Sequence, residues 1–394
     1  MPLLAPADGL PQVVTDLPAL RRTADAFAAG AGPIAVDAER ASGFRYSQRA
    51  YLVQLRREGA GTALVDPIPL DGDLSALAPA LSGPEWVLHA ANQDLACLAE
   101  VGLTPSRLFD TELAGRLAGL PRVGLGPLVE QLLGLSLEKG HGAADWSRRP
   151  LPEDWLVYAA LDVEVLVELR DVLAGLLAEQ GKLEWALEEF EAVRTAPPPA
   201  PRAEPWRRTS GIHKIRKPRR LAAVRALWEA RDRLAAERDI APGRVLPDSA
   251  IVEAAVAGPE SAQALAAMPV FRGRSQRRLT NYWFSALAQA ARLDAAELPK
   301  AAAPADGPPP VARWSDRDPD AAARLAAARA AIAEVGAERS VPVENLLQPD
   351  LLRRICWAPP QDGDVAAALR AGGARNWQVD LLTPLLEAAL RTRA

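Results

Sequence analysis

The sequence predicts an α/β domain followed by two all-α helical bundles, and three observations indicate this. Short apolar runs alternate with helical stretches in residues 1–193, whereas only helical spacing follows. Two proline-rich stretches interrupt the 394-residue chain. Formal charge is −13 over 1–193, +9 over 194–298 and 0 over 299–394. An acidic unit beside a basic one suggests a metal or catalytic domain joined to a polyanion-binding domain, although such blocks also occur as plain solvated surface.

The first unit, residues 1–193, mixes two periodicities. Apolar runs of strand length occupy residues 33–36, 51–55, 62–65 and 86–88. Apolar residues recur at intervals of three and four over residues 94–101, 111–118, 125–133 and 156–179. Strand-length runs between amphipathic helices are typical of an α/β domain.

Prolines divide the rest of the chain. Residues 194–210 and 299–311 are expected to be linkers, because proline lacks the backbone N–H and fixes φ. Residues 211–298 and 312–394 then form two helical bundles, which we interpret as distant repeats of one another.

Composition narrows the possible functions. No apolar run reaches the 18 or so residues that cross a bilayer, and the first residues lack the basic flank of a secretory signal, so we expect a cytoplasmic protein without a membrane partner. Two distant cysteines and three histidines cannot form a disulfide framework or a conventional zinc site. Any metal must therefore bind carboxylates. Neither a GxxxxGK[ST] loop nor a GxSxG elbow is present, so we expect no nucleotide cofactor and no serine acyl transfer.

Carboxylates in three places are candidate metal ligands. Asp37 and Glu39 end the first apolar run, and the period of two along a strand places both on one face. Asp94 follows a later run and opens a helix, where an acid also serves as a plain cap. Tyr158 and Asp162 are four residues apart and share one helical face; the alternative is a core tyrosine beside a solvated aspartate.

The order of these motifs resembles the DEDD exonuclease superfamily in its tyrosine-bearing branch. The amino-acid sequence between these motifs is similar to that of the ribonuclease D family over about residues 10–180. The matching segments are Tyr51-Leu52-Val53-Gln54-Leu55, His89-Ala90-Ala91, Phe109-Asp110-Thr111, Leu137-Glu138-Lys139, Asp145-Trp146-Ser147-Arg148-Arg149-Pro150-Leu151 and Tyr158-Ala159-Ala160.

The resemblance implies a ribonuclease H-like mixed sheet flanked by helices. It also implies metal-dependent hydrolysis of nucleotides from the 3′ end, releasing 5′-phosphomonoesters. Two divalent ions, Mg²⁺ or Mn²⁺, would be held by the four acids Asp37, Glu39, Asp94 and Asp162. Tyr158 would orient the attacking water, since its ordinary pKa near 10 makes it a poor base at neutral pH. Arg40 departs from the uncharged residue expected there, and would contact a phosphate or turn outward.

For three further side chains near these motifs, both a functional and a structural role are possible. His89 could orient substrate or a ligand carboxylate, but we favour a buried histidine bonded to a neighbouring carbonyl. His141 could reach the active site from its loop, although we favour solvent exposure. Trp146 could stack on a base beside Arg148 and Arg149, but we favour a tryptophan that fills the gap beneath the last helix.

The second unit carries two basic clusters that have the composition of a phosphate-binding surface. The candidate nucleic-acid ligands are Arg207, Arg208, Lys214, Arg216, Lys217, Arg219 and Arg220 in the first cluster and Arg272, Arg274, Arg277 and Arg278 in the second. Residues 221–291 resemble the HRDC (helicase and ribonuclease D C-terminal) domain. Residues 312–394 resemble it more weakly, and we expect them to pack against the other units.

These observations together predict a monomeric 3′→5′ exoribonuclease that trims structured RNA with a free 3′ end, above all tRNA precursors. Two alternatives remain open. The same carboxylates serve 3′→5′ DNA exonucleases, and a nuclease fold can also persist as a catalytically silent nucleic-acid-binding protein.

Overall fold

The computed structural model describes residues 2–137, 140–301 and 307–394. Glu138 and Lys139 of the Leu137-Glu138-Lys139 motif lie outside the described residues, as do residues 302–306 of the second predicted linker.

Six of the described strands form one mixed sheet in the order β2-β5-β4-β3-β6-β7, and β1 pairs separately with β8. The strands are β1 (Pro2–Leu3), β2 (Val13–Val14), β3 (Ala31–Arg40), β4 (Ala50–Glu58), β5 (Gly61–Val65), β6 (Glu85–Leu88), β7 (Arg107–Asp110) and β8 (Ser136–Leu137). The central strand β3 runs antiparallel to β4 and parallel to β6. The predicted mixed sheet is therefore confirmed, and it gains β7, which was not expected as a strand.

Helices flank this sheet. They are α1 (Leu17–Ala29), α2 (Ala78–Leu81), α3 (Leu95–Glu100), α4 (Thr111–Leu117), α5 (Leu125–Leu133), α6 (Glu153–Glu164), α7 (Leu166–Glu179) and α8 (Leu183–Arg194). The single helix expected over 156–179 is two helices, because the backbone bends at Val165. Helix α6 packs across β3, β4 and β5, whereas α7 packs on β3 and β6.

The second unit is a helical bundle with its own core. Its helices are α9 (Pro218–Arg238), α10 (Pro242–Val245), α11 (Asp248–Ala257), α12 (Ala262–Ala267), α13 (Arg274–Arg278) and α14 (Thr280–Arg292). Trp283 and Phe271 are fully buried in this core. Trp206, in the segment expected to be a linker, is buried there as well.

The third unit is also helical, but its core is continuous with that of the first unit. Its helices are α15 (Trp314–Arg317), α16 (Pro319–Arg339), α17 (Val343–Leu346), α18 (Pro349–Trp357), α19 (Val365–Ala371) and α20 (Asn376–Leu390). Trp377 stacks on Trp185 of α8 with ring centroids 4.7 Å apart and planes 12° apart. Trp377 also donates from Nε1 to Glu189 at 3.2 Å. The expectation that this unit packs against the other units is confirmed for the first unit.

The two bundles share local architecture. Each contains a 21-residue helix that ends on a left-handed residue, Asp239 or Ser340, before a four-residue helix. In each, a glutamine amide donates to a carbonyl at the short helix: Gln276 to Val245 at 2.6 Å and Gln378 to Asn345 at 2.9 Å. The shared pattern supports the hypothesis of distant repeats.

Among the described stretches of chain, none of the helices combines the length and the apolar character that crossing a bilayer requires.

Candidate active site

A cleft of about 1060 Å³ opens where β3 and β6 end. Parallel strands present their carboxyl ends at the same edge of a sheet, so residues at or just after these ends meet there. All five catalytic candidates from the sequence line this cleft: Asp37, Glu39, Asp94, Tyr158 and Asp162.

Three of the four acids form a tight cluster. Oxygen atoms of Asp37, Glu39 and Asp162 all lie within 4.8 Å of one another. Asp37 and Glu39 come from one face of β3, and α6 packs across this strand and brings Asp162 to the same place. The strand geometry of Asp37 and Glu39 and the position of Asp162 on α6 therefore bring the three carboxylates together.

Asp94 occupies the turn after β6 and is only 6% exposed. Its carboxylate pairs with Arg40, whose Nη2 lies 3.4 Å from Oδ1. Arg40 was expected to contact a phosphate or to turn outward, but in this structure it neutralises one of the candidate ligands instead. The three clustered acids have no such cation at salt-bridge distance within the described part of the chain.

Asp110 holds the turn that carries Asp94. Its carboxylate accepts hydrogen bonds from the backbone N–H groups of Ala90 and Ala91 at 3.1 and 2.8 Å, and it also caps α4. Ala90 has a left-handed backbone with φ of 58°, which a carboxylate bonded to its N–H helps to fix. From the sequence alone, Asp110 had no role beyond its place in a matching segment. Its position at the end of a strand, directly before a helix, is the signal that identifies an N-cap.

Burial raises the pKa of each of the four candidate acids, and repulsion by neighbouring carboxylates adds to this for Glu39, Asp94 and Asp162. Desolvation is the largest cause for each of them, and it raises the pKa of Asp37 to about 6. Desolvation, followed by the charge of Asp37, raises the pKa of Glu39 to about 10 and those of Asp94 and Asp162 to about 8. A site that disfavours its own carboxylates in this way is suited to a bound cation, which removes the repulsion.

The donor set fits a hard divalent ion. Carboxylate oxygens are the ligands that Mg²⁺ and Mn²⁺ prefer. One further side chain points to an incomplete polar site: Gln54 is fully buried, and neither of its amide atoms has a hydrogen-bond partner among the described residues. Gln54 lies directly opposite Asp37 in the β3–β4 ladder. In the sequence, Gln54 could have been recognised as unusual because it is a polar residue within the otherwise apolar run 51–55.

Tyr158 lies on α6 one turn before Asp162. Burial, followed by the charges of Asp162 and Glu39, raises the pKa of Tyr158 above its ordinary value. The hydroxyl therefore stays protonated at neutral pH and is able to donate a hydrogen bond. The His141 ring stands edge-on to Tyr158 at 5.7 Å and is about one-third exposed, so this histidine packs against α6 instead of lying free in solvent.

The structural interpretation of Trp146 is confirmed. Its side chain is fully buried and packs against Trp155 of α6. Arg149 is bound bidentately by Asp66, at 2.6 and 2.7 Å, and also donates to the Tyr51 carbonyl. Because these contacts occupy its guanidinium group, Arg149 is not available to bind a phosphate.

The two basic clusters lie at different places on the second unit. The first surrounds the amino-terminal end of α9, where Arg207 pairs with Glu204 and Arg219 donates to carbonyls at the end of α14. The second lies on and before α13, and its four arginines are exposed. Gln276 of α13 bonds the last residue of α10, and Arg244 of α10 donates to the Gly43 carbonyl at 2.7 Å. Gly43 lines the cleft, so these two hydrogen bonds link α13 to the cleft through α10.

Three family models match the chain. Residues 11–178 match a 3′-5′ exonuclease model, residues 220–287 match the HRDC domain, and residues 307–390 match a 3′ to 5′ exonuclease C-terminal domain. The helical unit at 312–394, expected to be a second HRDC-like domain, thus matches a model with a different description.

The chain also resembles known proteins over most of its length. It is 34% identical over 316 residues to ribonuclease D of Acidiphilium cryptum, covering 75% of this chain and 78% of that protein. It is 32% identical over 285 residues to ribonuclease D of Gluconacetobacter diazotrophicus, covering 70% and 71%.

Solved structures resemble the whole architecture. A protein from Bifidobacterium adolescentis is 39% identical and superposes with a TM-score of 0.93 over 99% of both chains. Escherichia coli RNase D, described as an exoribonuclease involved in structured RNA processing, is 25% identical and superposes with a TM-score of 0.68 over 96% of this chain and 98% of that one. The sequence, the fold and the acidic cleft agree, and the chain belongs to the ribonuclease D family.

Proposed function

We propose that this chain is a 3′→5′ exoribonuclease that trims the 3′ ends of structured RNA, tRNA precursors in the cytoplasm above all, and that it acts as a monomer. The observation that carries the proposal is the gathering of Asp37, Glu39 and Asp162 within 4.8 Å in a cleft that Asp94 and Tyr158 also line. Exonucleases of this kind depend on divalent metal ions. Two such ions, Mg²⁺ or Mn²⁺, would be held by the four acids.

Divalent ions bound there would activate water and neutralise the charge that develops on the leaving 3′ oxygen. The protein's own groups prepare the site for this chemistry. The acids provide oxygen ligands on two rigid elements, β3 and α6, whose packing fixes their separation. The protonated Tyr158 hydroxyl orients the attacking water by a hydrogen bond. Arg40, which lies beside Asp94, would offer a positive charge to a substrate phosphate.

The second unit would hold the body of the RNA. Its exposed arginines near α10 extend the binding surface from the cleft, since Arg244 and the ring of Phe44 are in contact at 4.0 Å beside Gly43. Guanidinium groups bind phosphates without reading sequence, as an enzyme that acts on many RNA molecules requires.

The test is digestion of a 5′-labelled RNA hairpin with a single-stranded 3′ tail, in the presence of Mg²⁺, of Mn²⁺ or of a chelator. We expect stepwise shortening of the tail with either ion, 5′-mononucleotides as products, and no shortening with the chelator. A DNA hairpin of the same sequence is the matched substrate control. Equal or faster digestion of the DNA would contradict the proposal, and so would an RNA that remains intact with both ions.

A further inference from the structure

His89 takes part in a hydrogen-bond chain that determines its tautomer. Its Nδ1 lies 2.9 Å from the Thr111 hydroxyl oxygen, which in turn lies 3.2 Å from the Leu88 carbonyl oxygen. A hydroxyl has a single hydrogen, and the carbonyl can only accept. Both contacts are satisfied when Thr111 donates to Leu88 and accepts from Nδ1–H of His89. Burial lowers the pKa of His89 to about 4, so the ring is neutral and Nε2 carries a lone pair.

The Nε2 atom is available to a ligand. It has no hydrogen-bond partner in the described part of the chain, and it is not among the buried polar atoms that lack a partner, so it is open to solvent. His89 lines the same cleft as the catalytic candidates. Its open nitrogen therefore faces the space that substrate would occupy.

An acceptor at this position restricts what can bind. Phosphate oxygens only accept hydrogen bonds, so Nε2 cannot bind them. The compact group of possible metal ligands consists of Asp37, Glu39 and Asp162 and does not include the His89 ring. The remaining partners are donors on a nucleotide: amino or imino groups of the base, or hydroxyls of the sugar. An enzyme that removes successive nucleotides meets every base, whereas each ribose carries the same hydroxyls.

We propose that His89 is a specificity residue whose Nε2 accepts a hydrogen bond from the 2′-hydroxyl of the 3′-terminal ribose, and thereby favours RNA over DNA. The inference rests on the proposed exoribonuclease function and names the group through which the cleft recognises its substrate. A preoriented acceptor in the cleft that is left without its donor when substrate binds disfavours the analogue that lacks the hydroxyl.

The experiment uses the full chain with Mg²⁺ and two RNA oligonucleotides that differ only in the last sugar, ribose or 2′-deoxyribose. The measured quantity is kcat/KM for release of the terminal nucleotide. We expect the wild-type protein to prefer the ribose end by about tenfold, the effect of one such hydrogen bond. His89→Ala should bring the ratio close to one while leaving release of the deoxy end almost unchanged. His89→Gln, which retains an acceptor, should recover part of the preference.

A pair of variants tests the hydrogen-bond chain. Thr111→Val removes the hydroxyl that holds Nδ1–H and should reduce the preference, whereas Thr111→Ser retains the hydroxyl and should preserve it. Asn92→Ala is the matched control from the same segment, because Asn92 is exposed and lies outside the residues that line the cleft. This control should keep the wild-type ratio.

Two results would overturn the proposal: a wild-type protein that releases both ends equally well, or a His89→Ala variant that slows both ends by the same factor. The second result would assign His89 a structural role. Failure of the proposed function would look different, because the wild-type protein would then release no nucleotide from either RNA.

Discussion

At the scale of single residues, the cleft concentrates negative charge that the fold alone does not neutralise. Glu39 and Asp94 are buried, and of these two only Asp94 forms an ion pair with a guanidinium in the part of the chain that the structure describes. Four acids raised above their ordinary pKa cost stability whenever they ionise without a counter-ion. The site is therefore suited to a bound cation, and the same arrangement of acids lowers the stability of the protein without metal.

Removing one charge from the three-acid cluster should abolish hydrolysis without abolishing RNA binding. We expect Asp37→Asn or Asp162→Asn to lower kcat by about a thousandfold or more, since several kcal/mol of transition-state stabilisation depend on the ions held there. The checks are single-turnover digestion of labelled RNA and a filter-binding titration with the same RNA. Near wild-type turnover in either variant would remove that residue from the mechanism.

The raised pKa values also predict how pH acts on stability. In the folded state the pKa of Asp37 lies near 6 and those of Asp94 and Asp162 near 8, above their ordinary 3.8. Stability from these groups is therefore fully present below the ordinary value and is lost as pH rises through the folded-state values. Mg²⁺ binds the deprotonated acids, so it should raise the melting temperature more at pH 8 than at pH 5.

The measurement is thermal unfolding with and without Mg²⁺ at the two pH values. An Asp37→Asn, Asp162→Asn double variant is the control, and its Mg²⁺-dependent increment should be small at both pH values. Equal increments at pH 5 and pH 8 in the wild-type protein would contradict the assignment of these acids as the titrating ligands.

At the scale of elements, the sequence contained most of the site. The period of two predicted that Asp37 and Glu39 share a face of β3, and the interval of four predicted the same for Tyr158 and Asp162 of α6. Both follow from backbone geometry alone. The Arg40–Asp94 pair was not predictable, because it depends on how far a flexible side chain reaches. The buried Gln54 depends on strand register, which pairs it with Asp37 and which periodicity does not specify.

The break between α6 and α7 illustrates another limit. Apolar residues continue through Val165 at helical spacing, so periodicity predicts one helix. The structure has two, which share β3 but otherwise pack on different strands, α6 on β4 and β5 and α7 on β6. Tertiary packing determines where one helix ends and the next begins, and local helix propensity does not predict this boundary.

The two basic clusters should contribute unequally to RNA binding. Helix α9 has 21 residues and is about 30 Å long. Its carboxyl-terminal cap, Asp239, accepts from Ser47 N–H of the first unit, so the first cluster at the other end lies far from that contact. We expect replacement of Arg274, Arg277 and Arg278 by glutamine to weaken binding more than replacement of Arg216, Lys217 and Arg220.

The salt dependence of RNA affinity distinguishes the two variants. Each phosphate that a variant no longer binds should reduce the slope of log K against log salt by about 0.7 to 0.9. The variant in α13 should show the larger reduction, with the other triple variant as its charge-matched control. A slope that changes equally in both, or in neither, would contradict the proposed RNA path.

At the scale of the whole molecule, the third unit and the first share one core, whereas the second has its own. The chain's composition indicated three units but not which of them fuse, because fusion depends on contacts such as Trp185 with Trp377 that lie far apart in sequence. We expect Trp377→Ala to lower the free energy of unfolding by about 3–5 kcal/mol, as for other large buried aromatics.

Urea denaturation measures this destabilisation, and limited proteolysis reports whether the third unit loosens. Trp228→Ala, in a partly buried position of the second unit, is the control and should leave the cleavage pattern of the third unit unchanged. A Trp377→Ala protein as stable as the wild type would show that the shared core does not depend on this stack.

The segment between β3 and β4 links recognition to chemistry. Phe44, Tyr46 and Ser47 are held by α9, α10 and the cap between them, only a few residues after Glu39. A force that a folded RNA exerts on the helical bundle would therefore reach the reaction centre through the short segment between Ser47 and Glu39. A displacement of about 1 Å in such a centre can change a rate a hundredfold. The rate of hydrolysis at the 3′ end would then depend on how the second unit binds the folded part of the RNA.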